Sequence, residues 1–183
     1  MNIIITAFSG FNHLATNSSQ EVLRLLSQDY QTFLLPVSYD KAATHIREII
    51  KVHKPDALVC MGQAGKTSKV RLEYNAYNEA HATICDEDGI KMYHWPFSSA
   101  GVASCQTPFP LLEWVQSFQE DDLIVSTDPG RFVCNSTYYQ ALSIMEKVLF
   151  IHLPYYKGQI EGEVGLPLEH MVYLVQKIID KIR

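Results

Sequence analysis

The sequence has 183 residues, of which 47% are hydrophobic and 19% are charged, and its formal net charge is −5. This composition supports a sizeable hydrophobic core and excludes an intrinsically disordered chain. The mild acidic excess disfavours nucleic acid and anionic membrane surfaces as partners, because both attract basic proteins.

Apolar strand patterns and amphipathic helix patterns alternate along the chain. Strands are indicated by short apolar runs, and helices by apolar residues at i, i+3 and i+4. We predict strands at 3–5, 32–35, 57–61, 123–126 and 148–151. We predict helices at 18–26, 40–53, 109–118 and 132–147, and a last helix from Pro167 onward. Ser18 or Ser19 is the predicted cap of the first helix.

The order of these elements favours an α/β sandwich with a largely parallel sheet. Residues 62–107 are less regular, and we assign no helix or strand to them. We find no internal repeat and no Gly/Ser-rich linker, so a single domain over residues 1–183 is expected.

Cys134 is the first candidate for chemistry. It follows the strand at 123–126 and the turn Asp128-Pro129-Gly130, and it lies near the start of the next helix. A helix N-terminus provides partial positive charge and free N–H groups, which stabilise a reactive thiolate. From this pattern alone we favour a buried structural thiol at Cys134, with a nucleophile as the alternative.

His152 and Glu73 complete a hypothetical triad. His152 follows the strand at 148–151, and we expect it at the same sheet edge as Cys134, where an imidazole can move the thiol proton. Glu73 can orient the imidazole, as the third group of a triad does. The structural alternatives are a strand-end histidine and a solvated carboxylate.

Two other patterns are weak. Residues 62–67 suggest a phosphate loop, but the required first glycine is replaced by Cys60, so we do not expect a nucleotide. His81 and Cys85 are four residues apart without a second pair of ligands, so we expect no metal. The sequence thus predicts neither a cofactor nor a metal site.

Four segments resemble the pyroglutamyl peptidase I (pyrrolidone-carboxylate peptidase) family. Residues 126–135 match its S-x-x-A-G-T-[FY]-x-C-N segment, and residues 150–155 match F-I-H-[VI]-P-Y. The other two segments match V-G-x-A-G-[GR]…E-R-x-A-x-N and T-G-F-x-P-F…N-P-[SA]. The matching residues in these two are Gly62, Gln63, Ala64, Gly65, Glu73, Ala76, Asn78, Thr6, Phe8, Phe11 and Asn17, with Asp86 and Gly89 continuing the pattern.

The resemblance implies a three-layer α/β/α sandwich with a mostly parallel mixed sheet and a cysteine peptidase without cofactor. Such an enzyme removes an N-terminal pyroglutamyl residue from peptides through a thioester. Carried over, Cys134 is the nucleophile, His152 the general acid/base and Glu73 the orienting carboxylate. The resemblance implies that two pairs of residues bind the substrate. Phe8 and Phe11 are expected to line a pocket for the lactam ring, and Asn17 and Gln63 to bind its polar edge.

Several positions depart from the family pattern. Tyr74 and Thr83 stand where the family pattern has arginines, and Gly10 replaces a proline. Asp128-Pro129 replaces the Thr-Ala before the nucleophile's glycine. Residues 91–120 match the family poorly. The lost charges could weaken the site, and Asp128 would raise the pKa of Cys134 if unscreened. Two alternatives therefore stay open: a thiol amidohydrolase acting on another cyclic or acylated amide, and a catalytically silent binding protein.

Location and assembly are expectations only. The N-terminus lacks the features of a signal peptide, and no apolar run approaches the roughly 18–20 residues that span a bilayer, so we expect a cytoplasmic protein with free thiols. The resemblance implies small peptides with N-terminal pyroglutamate as substrates, no nucleic acid or membrane partner, and self-association into a homodimer or homotetramer.

Overall fold

A six-stranded sheet in the strand order β2-β1-β3-β8-β4-β7 forms the middle of the structure. The computed structural model describes residues 1–12, 14–26, 30–65 and 67–183. A second, two-stranded sheet pairs β5 with β6. The elements are β1 (Ile3–Phe8), α1 (Ser18–Leu25), β2 (Gln31–Leu35), α2 (Tyr39–His53), β3 (Ala57–Gln63), β4 (Val70–Glu73), β5 (Asn75–Tyr77), β6 (Ser104–Gln106), α3 (Leu111–Phe118), β7 (Leu123–Ser126), α4 (Val133–Leu142), β8 (Val148–Leu153) and α5 (Leu168–Ile182).

Helices cover both faces of the large sheet. One apolar cluster joins the sheet to α1, α3 and α5, and a second joins it to α2 and α4. Because successive strand residues point to opposite faces, buried strands such as β1 and β8 contribute to both clusters. The predicted three-layer α/β/α sandwich is confirmed.

The sheet is mixed because two of its strands run in the opposite direction. β2, β1, β3 and β8 pair in parallel, β4 pairs antiparallel with β8, and β7 pairs parallel with β4. The carboxyl end of β7 therefore does not point to the sheet edge at which β8 ends. Our expectation that both strands end at one edge was wrong, because it assumed that all predicted strands are parallel.

The helix starts follow local capping chemistry. Asn17 caps α1, accepting the Ser19 N–H at 2.9 Å, so the prediction of Ser18 or Ser19 as the cap was wrong. Ser38 caps α2 by accepting the Lys41 N–H at 3.1 Å, and α2 ends at Lys54 in the left-handed region. Side-chain oxygens at these positions satisfy N–H groups that lack an intrahelical partner.

Other element boundaries also differ from the prediction. Residues 62–107 contain β4, β5 and β6. We did not predict these strands, because they are short and their sequences are half polar. α4 ends at Leu142 rather than at residue 147, and β8 extends two residues beyond the predicted strand. His152 is therefore inside β8 and not after it. The prediction of a single domain over residues 1–183 stays a prediction.

In the described ranges, no helix combines the length and apolar character needed to cross a bilayer.

Candidate active site

Glu73, His152 and Cys134 come together on the sheet face that α2 and α4 cover. Glu73 ends β4, and His152 lies on β8, the strand beside it. Cys134 is the second residue of α4. The segment 127–132 connects the end of β7 to the start of this helix. The site thus combines two neighbouring antiparallel strands with one helix start.

Glu73 and His152 form a buried hydrogen-bonded pair. His152 Nδ1 lies 2.9 Å from Glu73 Oε1, and the two residues are 5% and 0% exposed. A carboxylate only accepts, so Nδ1 carries the hydrogen, and in the neutral imidazole Nε2 keeps its lone pair. This tautomer suits a general base, because Nε2 is free to accept a proton.

The Cys134 sulfur lies against the backbone of β3 at Gly62. A Cβ atom built on Gly62 would be 2.9 Å from Cys134 Sγ and 3.0 Å from the Phe150 ring. Gly62 is the parallel register partner of His152, and the Phe150 and His152 rings are 4.8 Å apart between centroids. Glycine at position 62 therefore leaves room for the Cys134 sulfur against the strand that pairs with β8.

Burial disfavours the thiolate form of Cys134. Burial is the largest cause that raises its pKa to about 12, and the negative charge of Glu73 and the nearby Cys60 add to it. The Cys134 backbone N–H at the helix start lowers the pKa, but by less. The helix start therefore favours the thiolate as expected, but burial opposes it more strongly, and a base that takes the proton would assist the reaction.

Alkylation of Cys134 by iodoacetamide should be slow at neutral pH. With a pKa of about 12, the thiolate fraction grows about tenfold for each pH unit, so the logarithm of the rate should rise linearly from pH 7 to pH 10. Mass spectrometry of the Cys134 peptide measures this rate, with the exposed Cys85 as internal reference. A fast reaction at pH 7 that levels off below pH 9 would show a preformed thiolate instead.

A cavity of about 250 Å³ opens beside Cys134. Phe8, the last residue of β1, and Phe11, in the following loop, both line it. Phe11 and Phe132 pack with their ring centroids 5.7 Å apart. The other described lining residues are Asn12, Leu14, Thr16, Asn17, Val37, Gln63, Gly65, Ile84, Cys134 and Tyr155.

Asn17 and Gln63 line the cavity with part of their hydrogen-bonding capacity already used. Asn17 Oδ1 accepts from the N–H and the hydroxyl of Ser19, and its Nδ2 donates to the Ser9 carbonyl at 3.3 Å. Gln63 Oε1 accepts from the Ser18 N–H and from Gln159 Nε2, both at 2.8 Å. The Gln63 amide oxygen is therefore held in place, and no residue that the structure describes accepts from the Gln63 amide nitrogen.

The comparisons with known proteins identify the family of this chain. The family model described as pyroglutamyl peptidase matches residues 1–183. This chain belongs to the pyroglutamyl peptidase family. The family predicted from the sequence is confirmed, and so is its class of function, a cysteine peptidase.

Individual relatives have similar lengths and similar folds. A pyrrolidone-carboxylate peptidase of Alkaliphilus oremlandii is 30% identical over 180 residues, which cover 91% of this chain and 84% of the relative. The crystal structure of pyroglutamyl peptidase I from Bacillus amyloliquefaciens matches with a TM-score of 0.87 and 28% identity, over 96% of this chain and 91% of that one. The pyrrolidone carboxyl peptidase of Thermus thermophilus shares the fold with a TM-score of 0.92 at 23% identity, over 97% and 98%.

Asp128, a departure of this family member, does not bring an unscreened charge to the site. Its carboxylate accepts from Arg131 at 2.6 Å and from the Gly130 N–H at 3.1 Å. Partial burial raises the pKa of Asp128, but these hydrogen bonds lower it to below its ordinary value. Asp128 is also not among the groups that raise the pKa of Cys134.

The two positions where the family pattern has arginine are occupied differently here. Tyr74 packs against the cluster on the opposite face of the sheet from Glu73, and Thr83 is exposed. A guanidinium comes instead from Arg71, whose Nη2 lies 3.1 Å from Glu73 Oε1. Sequence reasoning missed Arg71, although its position two residues before Glu73 is the signal for a shared strand face.

The weak sequence patterns acquire no function. Across the residues that the structure describes, no group of three or more His, Cys, Asp or Glu side chains could hold a metal ion. Gly62 and Gln63, which opened the apparent phosphate loop, belong to β3. Lys66 of that loop lies outside the described residues.

Proposed function

We propose that this protein is a cysteine peptidase that removes an N-terminal pyroglutamyl residue from peptides. The single observation that carries the proposal is the buried Glu73–His152 hydrogen bond beside Cys134, at the wall of a cavity of about 250 Å³. Membership of the pyroglutamyl peptidase family supports the same substrate. In this proposal Cys134 is the nucleophile, His152 the general acid/base and Glu73 the orienting carboxylate.

Acylation begins with a neutral thiol. The S–H proton moves to His152 Nε2 as Cys134 Sγ attacks the exocyclic carbonyl carbon of the pyroglutamyl residue, forming the C–S bond. Glu73 stabilises the imidazolium that forms, because its carboxylate accepts from Nδ1. The C–N bond then breaks, and the proton on Nε2 passes to the leaving amine, leaving a pyroglutamyl thioester on Cys134.

Backbone N–H groups at the start of α4 are suited to the negative charge of the tetrahedral intermediate. Among the described residues, no side chain caps the N-terminus of α4, which begins at Val133. Uncapped N–H groups stabilise a developing oxyanion, and one such donor is typically worth about 10²–10³-fold in rate. In deacylation a water proton moves to His152 Nε2 as the water oxygen bonds to the acyl carbon. The C–S bond then breaks, pyroglutamate leaves, and the proton on Nε2 passes to the Cys134 sulfur.

The chemistry of the cavity favours an uncharged N-terminal group. None of the described lining residues is a Lys, Arg, Asp or Glu, so these side chains offer no carboxylate to pair with a free α-amine. The rings of Phe8 and Phe11 can pack on the flat lactam, and the Gln63 amide nitrogen can donate to its carbonyl. A site built to hydrogen-bond one polar group rejects analogues that lack that group.

The test compares a set of arylamides with the pure, reduced protein. We expect hydrolysis of pyroglutamyl-arylamide and no measurable hydrolysis of prolyl- or glutamyl-arylamide, since both carry a charged amine. Hydrolysis of acetyl- or another N-acyl-amide with pyroglutamate ignored would favour the related thiol amidohydrolase. No turnover of any member of the set would favour the silent binding protein.

Replacing Gly62 by alanine should inactivate the peptidase without unfolding it. The new methyl group would be 2.9 Å from Cys134 Sγ and must displace the sulfur. A misplacement of about 1 Å can cost about 100-fold in rate, so we expect a loss of at least about tenfold in kcat. Circular dichroism checks the fold, and an unchanged kcat in a folded Gly62→Ala variant would contradict this packing.

Cytoplasmic location and self-association belong to the same proposal. The four cysteines are free, and Cys85 is exposed, which suits a reducing compartment. A fluorescent fusion observed in the source cells tests the location. Light scattering during gel filtration distinguishes the proposed dimer or tetramer from a monomer of 20.8 kDa.

A further inference from the structure

Arg71 contacts the same carboxylate oxygen that orients the imidazole. Arg71 and Glu73 are two residues apart on β4, so their side chains lie on one face of the sheet. Arg71 Nη2 is 3.1 Å from Glu73 Oε1, which also accepts from His152 Nδ1 at 2.9 Å. Arg71 is also the antiparallel register partner of His152. A positive charge therefore borders the Glu73–His152 pair.

The Arg71 guanidinium is held in this position by further acceptors. Its Nη2 donates to Ser126 Oγ at 2.6 Å and to the backbone carbonyl of Asp128. The side chain is 25% exposed, so most of it is surrounded by protein. Several fixed hydrogen bonds keep the guanidinium from leaving Glu73 for solvent.

The charge state of the pair matters because Cys134 is a thiol at rest. His152 can accept the thiol proton only while its imidazole is neutral and Glu73 is anionic, a combination we call the base-competent state. The titratable or charged groups facing Glu73 are His152 on β8, Arg71 on β4, and Cys134 and Tyr138 on α4. Of these, Arg71 provides a permanent positive charge, which opposes the uptake of an extra proton by the pair.

We propose that Arg71 is a positioning residue that keeps Glu73 and His152 in the base-competent state, an inference that rests on the proposed function. Arg71 acts through Glu73 and has no role in bond making or breaking. The arginine that the family pattern has after its glutamate is Tyr74 here, and Tyr74 packs on the other face of the sheet. Arg71 lies two residues before Glu73 on β4 and supplies a guanidinium on the sheet face where Glu73 lies.

The test measures pyroglutamyl-arylamide hydrolysis from pH 6 to pH 9 in four proteins. Arg71→Met removes the charge and keeps much of the side-chain length, Arg71→Lys keeps a charge, and Ser126→Ala removes a neighbouring acceptor of Arg71. We expect Arg71→Met to lose about 10- to 100-fold in kcat at neutral pH, less than the roughly 10⁴-fold typical of losing a triad carboxylate function. Its loss should shrink toward pH 9, because the pair then sheds its extra proton. Arg71→Lys should recover part of the rate, and Ser126→Ala should lose less rate than Arg71→Met, because the Asp128 carbonyl still accepts from the guanidinium.

Each other outcome would overturn the proposal. A rise in KM with kcat unchanged would mean that Arg71 binds substrate. An equal loss at every pH, reproduced by Ser126→Ala, would mean that Arg71 only holds the segment 127–132 in place. Adding Arg71→Met to Glu73→Gln should cost little further rate, since Arg71 acts through Glu73, and full additivity would contradict that route.

A readout without turnover separates this proposal from the proposed function. Nitrogen NMR of histidine-labelled protein follows the protonation of His152, assigned by the signal missing in His152→Gln. In Arg71→Met, or in Arg71→Gln if the methionine variant does not fold, protonation of the pair should move to higher pH. Unchanged titration would overturn the role of Arg71 even if the wild type is inactive, whereas wild-type inactivity with a shifted titration would count against the proposed function alone.

Discussion

Cys134→Ala should lose at least about 10⁴-fold of the pyroglutamyl-arylamide activity, because removing the nucleophile of a triad eliminates the covalent route. The alanine fits the site, since the sulfur it removes lies in the space left by Gly62. The variant should therefore remain folded, and its inactivity should be chemical. Steady-state kinetics measure the loss, and thermal denaturation checks the fold.

The matched control is Cys105→Ala. Cys105 is another partly buried cysteine, and it lies on β6, away from the cavity residues. We expect its activity to stay within about threefold of the wild type. Mass spectrometry of the wild type quenched during turnover should show one pyroglutamyl group on Cys134. Activity that survives in Cys134→Ala would disprove the assigned nucleophile.

Glu73→Gln should lower kcat by about 10²- to 10⁴-fold, in the range seen when a triad carboxylate becomes an amide. His152 donates to Oε1 and the Arg71 guanidinium lies 3.1 Å from it, so the amide oxygen should occupy that position and preserve the histidine tautomer. The loss then comes from the missing negative charge, which no longer stabilises the imidazolium. KM should change much less than kcat, because Glu73 is fully buried and does not line the cavity.

The same variant should also be less stable. Glu73 Oε2 has no hydrogen-bond partner among the described residues, so the new amide nitrogen would be buried without an acceptor. Such a group costs about 1–3 kcal/mol, measurable as a lower denaturation midpoint. Glu79→Gln is the control, since Glu79 pairs with Arg131 and His94 and does not contact the triad. A Glu73→Gln variant with wild-type kcat would remove Glu73 from the proposed mechanism.

Position 128 illustrates the limit of reading charge from sequence. The sequence places an aspartate six residues before Cys134, and distance along the chain alone suggests repulsion of a thiolate. In the structure the Asp128 carboxylate pairs with Arg131 and the Gly130 N–H. The opposite outcome occurs at Glu73, which the sequence allowed to be a solvated carboxylate and which is in fact fully buried beside His152.

The sequence by itself determined the family, the sandwich of alternating strands and helices, and the candidate residues of the triad. These features are local, because apolar periodicity and short motifs such as the one around His152 are written in consecutive residues. It also predicted Phe8, Phe11, Asn17 and Gln63 as binding residues, and all four line the cavity beside Cys134. Their roles in binding stay predictions.

Only the tertiary structure decided the direction of β4 and β7, the burial of Glu73 and the state of the sulfur. Antiparallel pairing of β4 with β8 brings Arg71 opposite His152, an arrangement that depends on contacts about 80 residues apart in sequence. Burial by distant segments outweighs the helix start and leaves Cys134 a thiol with a pKa of about 12. Pairing and desolvation arise from residues remote along the chain, so no local pattern contains them.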